Sequence, residues 1–252
     1  MSLPLRKAAA KEMRERICKN YKRRSVSSTV WNFPWYLLWY FEMGIPDECI
    51  KYFSEEEKMM LLREVIAGME LEIEDEKEFL QGIASEIGQI KNNRLSLEEY
   101  ESSNCSDQMF CQIYEEYERR RKLLKKIDFD DMLVLCYELF QKRPDILQLW
   151  QKKFQYILID EFQDINQVQY DVIRMLALPE NNLFIVGDDD QSIYRFRGAR
   201  PEIMLGFSKD YPNAKSIILD VNYRSTKSVV SAARRVIERN KNRYQKEIIT
   251  VK

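Results

Sequence analysis

Two neighbouring carboxylates, Asp160 and Glu161, stand directly after the apolar run Ile157-Leu158-Ile159. That run, partly β-branched and free of polar residues, predicts a buried parallel strand, and open α/β sheets place their chemistry at the carboxyl edge of such strands. Carboxylates at that edge can hold a hydrated Mg²⁺ and polarise an attacking water, the task they perform in phosphoryl transfer. A strand that simply exits into an acidic turn would carry the same two residues, so an Asp-Glu pair alone leaves both readings open.

Two later stretches repeat the pattern of apolar strand followed by polar loop. In the first, Leu183-Phe184-Ile185-Val186 leads into Gly187-Asp188-Asp189-Asp190-Gln191-Ser192-Ile193-Tyr194-Arg195-Phe196-Arg197-Gly198-Ala199. The second is Leu219-Asp220-Val221-Asn222-Tyr223-Arg224-Ser225-Thr226. In this order and at these separations, the three stretches resemble motifs II, III and IV of the superfamily 1 DNA helicases of the UvrD/Rep/PcrA kind. The likeness is strong over residues 150–230 and follows the order of elements before them.

The resemblance implies a role for each matching residue. Asp160 would order Mg²⁺, and Glu161 would orient or deprotonate the attacking water. Gln191 would feel the γ-phosphate, Arg224 would neutralise charge developing on it, and Tyr223 would pack on the adenine base. Tyr194 and Phe196 fall where the family sets aromatics against unstacked bases, and Arg197 would orient that loop or bind the backbone. Thr29 would bear a further backbone contact, although Trp31 stands where the family often has histidine. The cofactors implied for a full-length parent are ATP and Mg²⁺. The partners are single-stranded DNA, duplex junctions and the remaining segments of the same helicase, in the cytoplasm and away from membranes.

The implied fold class is α/β, a partial RecA-like parallel sheet of the P-loop NTPase type with a mostly α-helical inserted subdomain. Its expected divisions are 1–43 for the first part of the motor domain, 44–127 for the helical insertion, 128–215 for the motor with motifs II and III, and 216–252 for the start of a second motor domain. Positioning elements can be traced in order. Ala9, Met13 and Ile17 recur at helical spacing ahead of the aromatic run Trp31, Trp35, Tyr36, Trp39 and Tyr40, which reads as packing. Ser54-Glu-Glu-Glu57 and Ser96-Leu-Glu-Glu99 both fit a capping box. Phe110, Ile113, Tyr117 and Leu124 share a face, with Arg119, Arg120 and Arg121 on a solvated one. Asp128-Phe129-Asp130-Asp131 reads as a helix cap rather than a metal site. Ile146, Leu149 and Trp150 mark the helix before Ile157, and Val168, Val172, Met175 and Leu176 mark a crossover helix stopped by Pro179. Pro201 opens the next helix, a strand is expected over 216–221, and Val229, Ala233, Val236 and Ile237 form the inward face of a last helix.

Composition narrows the classes. The 252 residues suffice for one large domain or two smaller ones. A net charge of −1 hides segregation: residues 1–24 carry nine Lys/Arg against two Glu, and 222–252 carry nine basic residues against two acidic, suiting ends that face a polyanion. The sequence has no histidine, which excludes imidazole catalysis and ligation, and its five unpatterned cysteines read as reduced, mostly buried thiols. None of the seven glycines precedes a lysine, so the sequence holds no G-x-x-x-x-G-K-[ST] phosphate loop. The expectation is an internal helicase fragment, with no tight nucleotide binding and no ATP turnover by itself. A non-catalytic module binding single-stranded DNA or a partner, and the helicase part of a helicase-nuclease, stand as alternatives.

Overall fold

Ser54 begins the first described helix as the spacing predicts. Its hydroxyl accepts from Glu57 N at 3.2 Å, and Glu57 Oε2 accepts from Ser54 N at 3.0 Å, closing a capping box. The structure is a computed structural model that describes residues 51–69, 71, 73–195 and 198–252. The expectations for the helix at 7–17, Thr29, the aromatics of 31–40, Cys18, Cys49, Phe196 and Arg197 lie outside the described residues.

The described residues divide into two units, one of 51–69 and 71 with Gln112–Cys136, the other of Ile73–Cys111 with the described part of 137–252. In the first, β1 (Lys51–Tyr52) pairs in parallel with β2 (Lys126–Ile127), and α1 (Glu55–Ala67) buries Leu61, Leu62, Val65 and Ile66. α3 (Asp107–Leu123) sends its second half into this unit, where Ile113 and Tyr117 are buried as their spacing predicts, whereas Leu124 follows the helix and is exposed. The arginine run does not form one solvated face. Arg121 is buried, holding Glu118 at 2.6 Å and Asp131 at 3.1 Å, because a guanidinium can satisfy several acceptors at once. α4 (Phe129–Lys142) starts with a reciprocal cap: Asp131 N donates to Asp128 Oδ1 at 2.7 Å and Asp128 N to Asp131 Oδ2 at 2.9 Å. Lys58, itself buried, lies 3.3 Å from Asp128.

The second unit carries the candidate site. α2 (Glu76–Asn93) and α5 (Pro144–Lys153) precede β3 (Ile157–Ile159), α6 (Gln167–Ala177) and β4 (Leu183–Ile185). α7 (Pro201–Asp210), β5 (Val221–Asn222), α8 (Lys227–Ile237) and β6 (Ile249–Thr250) complete it. β3 and β4 are parallel, in the register Ile157↔Leu183, Leu158↔Phe184, Ile159↔Ile185, with α6 as the crossover. The α6 face reads as expected, with Val168, Val172 and Leu176 buried and Met175 half-buried. Its cap is Asn166, whose side chain accepts from Gln169 N at 2.8 Å. Pro201 occupies the first turn of α7, and its missing N–H leaves no helical bond unmade there.

Several expectations change. Among the described residues the strands pair two by two, β3 with β4 and β5 with β6. β3 is buried on one face only: Ile159, Leu183 and Ile185 pack against Phe162, Ile165, Tyr170, Ile173 and Ile203, while Leu158 is 72% and Phe184 58% exposed. Successive strand residues point to opposite faces, so covering one face leaves every second side chain bare. The strand expected over 216–221 shrinks to Val221–Asn222, the only residues there that find a ladder partner, in β6. Ser96 begins no helix. Residues 97–99 form a turn, since the polar stretch after Tyr100 offers no apolar face to propagate one. In α5 Trp150 is buried but Leu149 is exposed, and α8 buries none of Val229, Ala233, Val236 and Ile237. Periodicity identifies the face that would be covered, not a surface that covers it. Of the described cysteines Cys136 is buried, its thiol pushed up to about 12 by that burial, while Cys105 and Cys111 are half-buried.

Candidate functional site

Past Ile159 the parallel ladder continues into the loops. Val186 N donates to Ile159 O at 2.8 Å, and Phe162 N donates to Val186 O at 2.9 Å. Between these bonds the chain turns sharply, with Glu161 in the left-handed region at φ 53° and Asp160 Oδ1 accepting from Glu161 N at 3.0 Å. Such a conformation is uncommon for a residue with a Cβ, and here the Phe162 bond and the burial of the Phe162 ring hold it. Phe162 meets Tyr170 and Phe207 edge-on, with ring centroids 6.1 and 5.6 Å away. Both carboxylates of the Asp160-Glu161 pair are left exposed at the strand's carboxyl edge.

Gln163 ties the two loops together. It is only 1% exposed; its amide donates to Glu161 Oε2 at 2.7 Å, while its carbonyl accepts from Asp188 N at 3.0 Å. A Cβ at Gly187 would lie 2.7 Å from that carbonyl and 3.2 Å from Gln163 N, so glycine is what permits the approach. Gln191 sits at the end of the short 3₁₀ turn Asp189–Gln191 and donates to Asp188 Oδ2 at 2.7 Å. Glu161, Gln163, Asp188 and Gln191 therefore form one continuous hydrogen-bonded path from the β3 loop to the β4 loop.

Asp164 follows with a buried Oδ1 that lacks a hydrogen-bond partner. Burial, and then the charge of Glu161, raise its pKa above the ordinary aspartate value. The three consecutive aspartates of the β4 loop, Asp188, Asp189 and Asp190, are neutralised by residues 243 and 246. Lys246 Nζ reaches Asp188, Asp189 at 2.6 Å and Asp190 at 3.1 Å; Arg243 holds Asp190 through two bonds of 2.7 and 2.6 Å. Burial opposes charge on Asp190, but the bonds to Arg243 and Lys246 outweigh it and hold its pKa below the usual value. For Lys246 the same competition ends above the ordinary lysine value.

Tyr194 is exposed two residues after Ser192, whose hydroxyl donates to Gln163 O at 3.3 Å. Tyr223 and Arg224 stand on a separate exposed loop, fixed by Asn222 Oδ1, which accepts from Arg224 N at 2.9 Å and Ser225 N at 2.8 Å. The structure thus brings Asp160, Glu161 and Gln191 to one edge and places Tyr223 and Arg224 on the loop after β5. Sequence reasoning passed over Gln163, Arg243 and Lys246. The first could have been found as the one neutral polar residue inside an acidic turn, whereas the other two were visible only as members of a basic segment.

Carboxylate oxygen is the donor type that hard divalent cations take. Asp160 offers carboxylate oxygen to solvent at the strand edge, and Asp164 Oδ1, four residues along the chain, is buried without a partner; no cluster of three or more acidic or cysteine side chains able to hold a metal ion occurs among the described residues. Among the described residues no helix is long and apolar enough to cross a membrane.

A parallel β-α-β unit with carboxylates at the carboxyl edge and a bonded second loop defines a class, and comparison of the whole sequence agrees. Residues 3–212 match the UvrD/REP helicase N-terminal domain, and the chain belongs to that family. It is 51% identical over 175 residues to YjcD of Bacillus subtilis (strain 168), an alignment covering 69% of this chain and 23% of the relative. It is 42% identical over 172 residues to the ATP-dependent DNA helicase PcrA of the same organism, covering 68% and 23%. With the PcrA of Staphylococcus aureus (strain Mu50 / ATCC 700699) the identity is 41% over 169 residues, covering 65% and 23%. The chain spans about a quarter of the length of the curated relatives it matches.

Proposed function

We propose that the chain is part of the motor of an ATP-dependent 3′-to-5′ DNA helicase, in which ATP hydrolysis drives movement along single-stranded DNA. The observation that carries this is the path Glu161–Gln163–Asp188–Gln191, which joins the carboxylate edge of β3 to the loop bearing Tyr194. Such a path lets events at a phosphate alter the placement of groups on the DNA side. Asp160 binds the metal and Glu161 accepts a proton from the attacking water. Gln191, an amide able to donate and accept, contacts the γ-phosphate. Arg224 neutralises its developing charge and Tyr223 packs on the base. Bound Mg²⁺ supplies charge neutralisation of the phosphates; the chain's own residues orient water and report the phosphate's state. Tyr194, with Phe196, stacks on unpaired bases, a contact worth roughly 1–3 kcal/mol per base, and Arg197 and Thr29 engage the backbone.

In this reading the β3/β4 pair belongs to a RecA-like sheet, with 1–43 and 128–215 in the first motor domain, 44–127 as a helical insertion, and 216–252 opening the second. Without a G-x-x-x-x-G-K-[ST] loop in its 252 residues, the polypeptide by itself binds nucleotide weakly and does not turn over ATP. The test is DNA-stimulated ATPase activity of this chain beside a version extended through the phosphate loop and the second motor domain. Turnover by the extended form alone, abolished by Glu161→Gln, is the expected result. ATP hydrolysis by the 252-residue chain that Glu161→Gln removes would refute the requirement for that loop.

A further inference from the structure

The basic segment near the chain's end does not simply face solvent. Arg243 and Lys246 cover three consecutive carboxylates in the loop after β4, and both cations are largely buried there. Tyr244 between them fixes the backbone: its N–H donates to Asp189 Oδ2 at 2.8 Å, and its hydroxyl donates to Met204 O on α7 at 2.9 Å. The segment is thus held at Arg243, Tyr244 and Lys246 together.

Its connection to the site runs through one side chain. Asp188 Oδ1 accepts from Lys246, Asp188 Oδ2 accepts from Gln191 at 2.7 Å, and Asp188 N donates to Gln163 at 3.0 Å. The carboxylate that places Gln191 is therefore itself placed by Lys246. Three adjacent aspartates held without cations would repel one another and any anion approaching the β3 edge. Bound to Lys246 and Arg243 they become a nearly neutral and stiff turn.

We infer that Arg243 and Lys246 are positioning residues that clamp the Asp188–Asp190 turn and so set the place of Gln191 and, beyond it, Tyr194. This rests on the helicase-motor reading only for what Gln191 and Tyr194 contact; the clamp itself stands on geometry. Lys246 is the stronger element because it bridges all three aspartates, whereas Arg243 grips Asp190 alone.

The test uses the 252-residue chain and two readouts, backbone amide exchange over residues 183–195 and binding of a fluorescent oligo-dT strand. Lys246→Met is expected to speed exchange in the 187–192 turn about tenfold, Arg243→Gln less, with segments such as α2 unchanged, in the range of couplings between contacting charged groups. Lys246→Arg restores slow exchange, and Asp189→Asn combined with Lys246→Met adds less than the two effects summed. If Lys246→Met leaves exchange in the turn unchanged, or if Lys246→Arg behaves like Lys246→Met, the clamp is overturned. Should Lys246→Met prove too unstable to purify, Asp189→Asn alone tests the same contact from the acidic side, and unchanged exchange there overturns the clamp equally. Oligonucleotide affinity separates the two levels. Weaker binding by Lys246→Met, rescued by Lys246→Arg, carries the clamp to the DNA side, whereas a wild-type chain that ignores the strand counts against the helicase reading and leaves the exchange result to decide the clamp.

Discussion

The β3/β4 region and the β5/α8 region begin from similar sequence, an apolar strand followed by an amphipathic helix, and end in different states. Around β3 and β4 one face is closed over Phe162, Tyr170, Ile173 and Ile203, and the loops beyond are tied by Gln163. Around β5, Ile217, Ile218 and Leu219 are exposed, the ladder is two residues long, and α8 buries nothing. Placement of chemical groups follows the packing. Around β3 and β4, Glu161 and Gln191 are connected through the buried Gln163 and the half-buried Asp188; around β5, Tyr223 and Arg224 are held by the local Asn222 turn.

Three substitutions sharpen or break that contrast. Phe162→Ala removes the ring at the centre of the cluster and is expected to cost about 3–5 kcal/mol, enough to abolish a cooperative thermal transition in calorimetry. Gln163→Ala is expected to cost about 1–3 kcal/mol, because the Asp188 amide loses its acceptor at a part-buried site. Its signature is faster exchange of the Asp188 amide. Val236→Ser, at a position 72% exposed, is expected to change stability by less than about 0.5 kcal/mol in the same melt. A large loss at Val236 would mean that α8 packs on something, and the contrast between the regions would fail.

How much of this was legible beforehand varies with the range of the interaction. The crossover helix α6 was plain because Val168, Val172, Met175 and Leu176 repeat at helical spacing and Pro179 follows them, whereas its Asn166 cap emerges only from the structure. The cap at Asp128 was legible for the same reason, since its bonds span three residues. The one-sided burial of β3 was not, because Ile157, Leu158 and Ile159 are all apolar and show no alternation. Equally hidden was the close approach at Gly187, which depends on Gln163 in a different loop. Lys246 lies 57 residues from Asp189, and a charge count assigned it to an external polyanion when its partners were internal. Placement of Asp160, Glu161 and Gln191 at one edge agrees with the motif spacing, but the bond network joining the last two emerges only from the fold.

The left-handed backbone at Glu161 bears on how such a turn could drift over many generations. Glycine would sit there with less strain, by roughly 1 kcal/mol, but it would leave the buried Gln163 amide without the acceptor that Glu161 supplies. Glutamate in that conformation sits against the local backbone preference, and its bond to Gln163 offsets that strain, so an exchange at position 161 would trade one against the other.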